Sequence, residues 1–263
     1  MMTDEVREFT ILRVTEEGRS EVEDVVATEF PLTIILDNQE LVTMLCTPKD
    51  LKYLAIGFLY SEGLIQNKAE ITKIILDDRK GVVRVETEGD KGIAREALFK
   101  RLITSGCGRG ASFYSAADTT NQEKVESEMK ISAAEVFALA REFQLRSQVY
   151  RATHGVHSAA LCDTKNILIF TEDIGRHNAI DKIFGQCLLE DLPIDDRMII
   201  TSGRMSSEIV LKVARRNIPI VISKSAPTNL AVDLAARLGV TLIGFVRGRR
   251  MNVYANGWRV TEE

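Results

Sequence analysis

One thiol in this chain stands apart from the others. Cys107 lies in Ser105-Gly106-Cys107-Gly108-Arg109-Gly110, with nothing apolar beside it to pack on. Glycine leaves such a backbone conformationally free. The Arg109 guanidinium favours the thiolate, the form of cysteine that attacks sulfur. The composition predicts an exposed thiol on a mobile tether, able to accept a sulfur atom at one protein surface and release it at another. An incidental surface cysteine on a linker is the alternative that composition leaves open. Cys46, Cys162 and Cys187 sit in the apolar runs LVTMLC, AALC and FGQCLL and read as small core residues. No pair of cysteines has the CxxC spacing of a zinc site.

A second group of residues suits anions. Thr201-Ser202-Gly203-Arg204 leads into Ser206-Ser207-Glu208, and Ser223-Lys224-Ser225-Ala226-Pro227 leads into Thr228. Hydroxyls and free N–H groups at a helix start, with a cation nearby, make a phosphate or pyrophosphate site. Arg247-Gly248-Arg249-Arg250, after Phe245-Val246, adds guanidiniums that can fork onto phosphates and stack on a base. Each loop alone also reads as plain helix caps and a solvated turn; together they favour a nucleotide-like ligand. Neither GxGxxG nor GxxxxGK[ST] occurs.

The densest polar segment runs from Glu172 through Asp173-Ile174-Gly175-Arg176-His177-Asn178 to Asp181-Lys182. Arg176 and Lys182 suit anionic groups, Asn178 and Asp181 suit a base edge or those cations, and His177 suits proton transfer. An internal hydrogen-bond network that fixes the loop is the competing reading. His154-Gly155-Val156-His157 has no CxxC or HxE companion, so no metal is expected there.

These residues need elements to position them. Strands are expected at 8–14, 22–28, 32–36 and 40–46. A helix should follow Thr47-Pro48-Lys49-Asp50, with Thr47 accepting at its start, Pro48 at its first position, Asp50 favouring its positive end, and Leu51, Leu54, Ala55, Phe58 and Leu59 on one face. A hairpin at 71–76 and 82–88, a short helix near 92–103 and a polar linker at 117–130 complete the first half. The capping box Ser132-Ala133-Ala134-Glu135 opens a helix to about 148. Strands at 159–163, 167–172, 197–202, 219–225, 240–246 and 251–255 then alternate with helices at 176–190, 206–216 and 228–238. Continuous apolar strands between amphipathic helices predict a largely parallel sheet covered on both faces, with ligands beyond the strands' carboxyl ends. The expected division is an N-terminal α+β subdomain, 1–128, carrying the Cys107 loop, and an α/β domain, 129–263, that binds the ligand.

The chain has 263 residues, 45% hydrophobic and 27% charged, enough to bury a core without staples. Its net charge of −4 supplies no excess of Lys and Arg for general nucleic-acid binding. No apolar run reaches the roughly 18 residues of a membrane span. MMTDEVREFT has acids where a signal peptide has basic residues before an apolar stretch. A cytoplasmic location, away from membrane and nucleic acid, is expected.

Read together, the ordered motifs resemble the formate dehydrogenase accessory protein family, the sulfur-carrier FdhD/NarQ family, over nearly the whole chain. The motifs are Glu29-Phe30-Pro31-Leu32, Thr47-Pro48-Lys49-Asp50, Gly57-Phe58, Glu62-Gly63, Thr104-Ser105-Gly106-Cys107-Gly108 and Thr153-His154-Gly155-Val156-His157-Ser158-Ala159-Ala160. To these add Glu172 through Lys182, Ser202-Gly203-Arg204 with Glu208, and Ser225-Ala226-Pro227-Thr228. The resemblance implies a cytidine-deaminase-like three-layer α/β sandwich with an N-terminal α+β subdomain. The zinc residues of the deaminases have no counterpart here, so deamination is not implied.

The resemblance also implies a sulfurtransferase: sulfur passes from a cysteine desulfurase to the molybdenum bis(molybdopterin guanine dinucleotide) cofactor of formate dehydrogenase. By position, Cys107 becomes the persulfide-bearing residue, and Phe245, Val246, Arg247, Gly248, Arg249 and Arg250 match the segment assigned to cofactor contact. Arg176, His177, Asn178, Ser202, Gly203 and Arg204 are the further candidates for that contact, GDP is a candidate surrogate ligand, and a homodimer is expected. At two positions the chain departs from the family pattern: Thr153-His154-Gly155 lacks a second glycine common there, a smaller departure, and Gly110 stands where a second cysteine would make a local dithiol. That departure opens a second reading, a non-catalytic chaperone that binds the molybdenum cofactor for formate dehydrogenase.

Overall fold

The computed structural model describes residues 5–88 and 122–262, with the backbone of 102–103 and 111–112. Cys107, Arg109 and Gly110 lie outside the described residues, as does most of the helix expected near 92–103. Leu102–Ile103 is instead a short strand, β7, paired with β8 at Ala111–Ser112.

Among the described residues, the first half is built from hairpins and one α-helix. β1 (Val6–Thr15) and β2 (Gly18–Ala27) form a long two-stranded ribbon. β3 (Phe30–Leu36) and β4 (Gln39–Cys46) meet at Asp37-Asn38, whose φ values of 47° and 65° are those of the tight turn that suits strand twist. With β5 (Ile71–Asp77) and β6 (Val82–Thr87) they make a four-stranded sheet in the order β4-β3-β6-β5. Helix α1 (Leu51–Ser61) covers it, burying Leu51, Leu54, Ala55, Phe58 and Leu59 as the spacing predicts. Its start differs from expectation. Asp50, at φ 56°, is the N-cap residue and makes no side-chain cap, while Thr47 turns inward to bond Asp173.

The second half carries a six-stranded sheet in the order β11-β10-β12-β13-β14-β15. After the short β9 (Ile131–Ser132), its strands are β10 (His157–Cys162), β11 (Ile167–Asp173), β12 (Met198–Thr201), β13 (Ile220–Ser223), β14 (Thr241–Arg247) and β15 (Arg250–Ala255). The expectation of a largely parallel sheet is corrected here: only β12–β13 and β13–β14 pair in parallel. The short turns at 163–166 and 248–249 force β10–β11 and β14–β15 to run antiparallel, and β12 lies antiparallel to β10. The helices are α2 (Ala133–Arg146), α3 (Gln148–Thr153), α4 (Arg176–Leu189), α5 (Ser207–Ala214) and α6 (Asn229–Leu238). α4, α5 and α6 pack on one face and α2 on the other, giving three layers. The capping box at Ser132 and Glu135 is formed in both directions. Residues 122–130 form neither helix nor strand, yet Val125 is buried among α5 and α6 residues and its N–H reaches the Leu238 carbonyl at 2.9 Å.

The two sheets are joined through α1 and α4, which cross backbone to backbone. A Cβ on Gly57 would lie 1.7 Å from the Asp181 carbonyl oxygen, and one on Gly185 would lie 1.9 Å from that of Tyr53. Even one methyl group must push these helices apart. Gly57→Ala and Gly185→Ala are each expected to cost about 3 kcal/mol or more in urea unfolding, at the top of the usual range for overpacking. A loss below about 1 kcal/mol would show that the helices separate freely.

Candidate functional site

Because β11 and β12 both run antiparallel to β10, strands β11 to β14 point their carboxyl ends to one edge of the sheet. The loops singled out in the sequence follow these strands, so the topology gathers them along that edge. A cleft of about 870 Å³ opens there, within the range of small-molecule sites. Phe245 to Arg249 form one wall, Ser202 and Lys224 to Ala226 contribute from the β12 and β13 ends, and α2 supplies the opposite wall.

Of the sequence candidates, Ser202, Phe245, Val246, Arg247, Gly248 and Arg249 line this cleft. Arg250 starts β15, is exposed, and pairs with Arg247 across the turn. Arg176, His177, Asn178, Gly203 and Arg204 are not in its lining. Gly203 lies against the Arg176 side chain, where a Cβ would fall 2.9 Å from the Arg176 Cβ, and Arg204 is exposed.

Sequence reasoning missed one wall. Phe137, Ala140, Arg141 and Gln144 of α2 line the cleft, and Ser147, Tyr150 and Ser158 join them. The signal was present as a second helical stripe. Residues 137, 140, 141 and 144 share one face beside the core stripe Val136, Leu139 and Phe143.

The lining charges all have one sign. Arg141, Lys224, Arg247 and Arg249 line the cleft, and among the described residues no carboxylate does. Phe137, Phe143, Tyr150 and Phe245 add aromatic surface. Such a lining has the chemistry that suits a polyanion carrying flat rings.

Phe245 is held there at a cost. Its φ of 53° lies in the left-handed region, where a bulky side chain is an outlier. The β14–β15 ladder slips between Gly244 and Arg247, and the Phe245 N–H leaves it to donate to the Ser225 carbonyl at 3.2 Å. The Arg247 guanidinium lies 5.7 Å from the Phe245 ring centre, within cation–π range.

Behind the cleft, the Glu172–Lys182 segment forms a buried network. The Lys182 ammonium, fully buried, lies 2.8 Å from Asp173 Oδ2 and donates to Thr47 Oγ1 at 2.9 Å and to the Glu172 carbonyl at 3.2 Å. Asp173 also accepts from the Thr47 N–H at 3.1 Å, the Gly175 N–H at 2.9 Å and Asn178 Nδ2 at 2.9 Å. Asn178 donates to the Leu45 carbonyl as well, at 2.9 Å. Asp181 is equally internal: Lys212 Nζ sits 2.7 and 2.8 Å from its two oxygens and the Ser61 hydroxyl donates at 2.6 Å. His177 Nε2 lies 3.3 Å from Glu208 Oε2. Burial, then the charges of Lys212 and Arg176, hold its imidazole well below the ordinary 6.5, so the ring is neutral at neutral pH.

Comparison with known proteins decides the kinship. Residues 27–261 match the model of the FdhD/NarQ family. This chain belongs to the FdhD/NarQ family. Among its relatives, the sulfur carrier protein FdhD of Bacillus subtilis (strain 168) is 45% identical over 248 residues, spanning 94% of this chain and 95% of the relative. The sulfur carrier protein FdhD of Bacillus pumilus is 42% identical, spanning 99% of this chain and 100% of the relative. The crystal structure of a protein described as a formate dehydrogenase accessory protein, from Desulfotalea psychrophila, superposes with a TM-score of 0.80 at 28% identity, covering 97% of this chain and 99% of that one. Within the FdhD/NarQ fold of this chain, no helix among the described residues is long and apolar enough to cross a membrane.

The described cysteines of this FdhD/NarQ member are closed to chemistry. Cys46, Cys162 and Cys187 are buried. Burial pushes the thiols of Cys46 and Cys187 up to about 12, and that of Cys162 also rises. Iodoacetamide at about pH 8 is therefore expected to leave all three unmodified in the folded protein and to label them after unfolding, as peptide mass mapping would read; native-state labelling of any of them would refute the assignment. The strain at Phe245 has its own signature. Phe245→Gly is expected to be more stable than Phe245→Ala by about 1 kcal/mol in urea titration, a reversal of the usual order of these residues. The ordinary order would show that the backbone there is relaxed.

Proposed function

We propose that this chain is a sulfur carrier, a sulfurtransferase that takes sulfane sulfur from a cysteine desulfurase onto Cys107 and delivers it to the molybdenum bis(molybdopterin guanine dinucleotide) cofactor of formate dehydrogenase. Loading is a thiol exchange. The Cys107 thiolate attacks the terminal sulfur of the desulfurase persulfide, a new S–S bond forms on Cys107, the old one breaks, and the desulfurase thiolate leaves. The names of the relatives support a sulfur-carrying role, and the buried state of the other three cysteines supports Cys107 as the thiol that bears it.

The observation that carries the acceptor side is the cleft. Its four cations, with no carboxylate in the described lining, suit the phosphates of a guanine dinucleotide, and its aromatic residues suit the flat rings. The cofactor is the substrate of this transfer. Arg141, Lys224, Arg247 and Arg249 hold its charge, and Phe245 offers a stacking face.

A second reading rests on Gly110, which removes the local dithiol: the chain binds and shields the cofactor without covalent chemistry. Labelled cysteine and a desulfurase separate the two. Wild type is expected to take up labelled sulfur and Cys107→Ala to take up none, with formate dehydrogenase left inactive in cells carrying that variant. Activation by Cys107→Ala would establish the chaperone reading instead. GDP probes the cleft in either case. At about 100 times its dissociation constant it should add roughly 2.7 kcal/mol of stability, and Arg247→Ala combined with Arg249→Ala should abolish that gain.

A further inference from the structure

Ser202 sits in the cleft on the turn after β12, and its hydroxyl oxygen is met by nitrogen from two sides. The Ser158 N–H donates to Ser202 Oγ at 3.0 Å, and His157 Nδ1 lies 3.3 Å from the same oxygen. The Ser202 N–H returns a bond to the Ser158 carbonyl at 3.0 Å, so the turn is clamped to the start of β10. Ser158 is itself fixed: it is buried, and its hydroxyl lies 3.0 Å from that of Ser147 and 3.4 Å from Glu172 Oε1. The oxygen of Ser202 therefore has a set position relative to Lys224, Ser225 and Arg247, which line the same cleft.

A hydroxyl has two acceptor lone pairs and one hydrogen. The Ser158 N–H takes one lone pair. If the imidazole carries its proton on Nδ1, it takes the other, and the Ser202 hydrogen has nowhere to point except away from both, into the cleft. If the proton sits on Nε2, the Ser202 hydrogen is drawn back to Nδ1 and the cleft is offered an oxygen lone pair instead. An anion beside Ser202 is stabilised by the first arrangement and repelled by the second.

We infer that His157 is a positioning residue that makes Ser202 a hydrogen-bond donor to a phosphate oxygen of the ligand. This rests on the nucleotide reading of the cleft given above and deepens it, naming the diphosphate as the group recognised at Ser202. The ring is suited to the task because it stays neutral at neutral pH: burial and the Arg176 charge hold it below the ordinary 6.5. A neutral ring changes tautomer without adding a charge, so Ser202 can donate to a bound anion and fall back on His157 when the cleft is empty.

The experiment compares GDP with guanosine, by calorimetry, on the full chain. His157→Leu is expected to weaken GDP about tenfold, as loss of one hydrogen bond to a charged group would, and to leave guanosine unchanged. His157→Asn keeps an N–H near the Nδ1 position and should bind GDP within about threefold of wild type. Ser202→Ala should match His157→Leu, and the double variant should be no weaker than either, as for groups that act as a unit. A purely structural role for His157 would lower both affinities and would not be rescued by Asn. Undiminished GDP binding by His157→Leu and Ser202→Ala, or equal losses for GDP and guanosine, would overturn the inference while leaving the nucleotide reading intact. Failure of wild type to bind GDP would overturn both.

Discussion

The contact on which this architecture depends is the buried pair of Lys182 and Asp173. Stripping water from both ions is expensive, and only close geometry with further hydrogen bonds repays it. Here every neighbour contributes: Thr47 through its N–H and hydroxyl, Gly175 and Asn178 through their N–H groups, and the Glu172 carbonyl. Apolar side chains of equal volume often stabilise a protein as well as such a pair does. They lack the directionality that makes the β4–α1 connection meet the β11–α4 connection in one orientation. The pair acts as a keyed joint between the four-stranded and six-stranded sheets, and the cleft-forming edge of the larger sheet is set by it.

Above that joint the chain reverses its own electrostatics. The whole sequence carries −4, yet every charged residue in the described cleft lining is a cation. The carboxylates of the Glu172–Lys182 segment are bound up elsewhere. Glu172 accepts from the N–H groups of Val149 and Tyr150, Asp173 holds Lys182, and Asp181 holds Lys212. Each acid is thereby kept out of the opening while it organises the wall behind it. Local potential in a low-dielectric recess governs ligand choice far more than net charge does.

Much of this was legible in the residues. Turn chemistry at Asp37-Asn38, the capping box at Ser132 and the apolar stripe of α1 each carry a local signal, and each formed in place. The strand-end loops were also identifiable, because continuous apolar strands must deliver their polar residues to the ends. Strand direction was less accessible. β10 reads like any buried strand, and nothing local states that β12 lies beside it and antiparallel to it. Thr47 misled for a related reason. A Thr immediately before a Pro that suits a first helical position looks like a cap, but a buried carboxylate 126 positions away claimed it. The Glu172–Lys182 segment held both readings open. The structure spends Asn178, Asp181 and Lys182 on internal bonds, an allocation that depends on partners from remote parts of the chain.

The glycine contact between α1 and α4 has a mechanical consequence. Packed helices ordinarily accommodate small sliding movements because their side chains can shuffle between alternative rotamers at the seam. At Gly57 and Gly185 the seam is main chain against main chain, with no intervening methyl to rearrange. That junction behaves as a weld rather than a bearing. Freedom of movement at the cleft is therefore left to its own loops and side chains, while the two sheets behind them travel as a single rigid chassis.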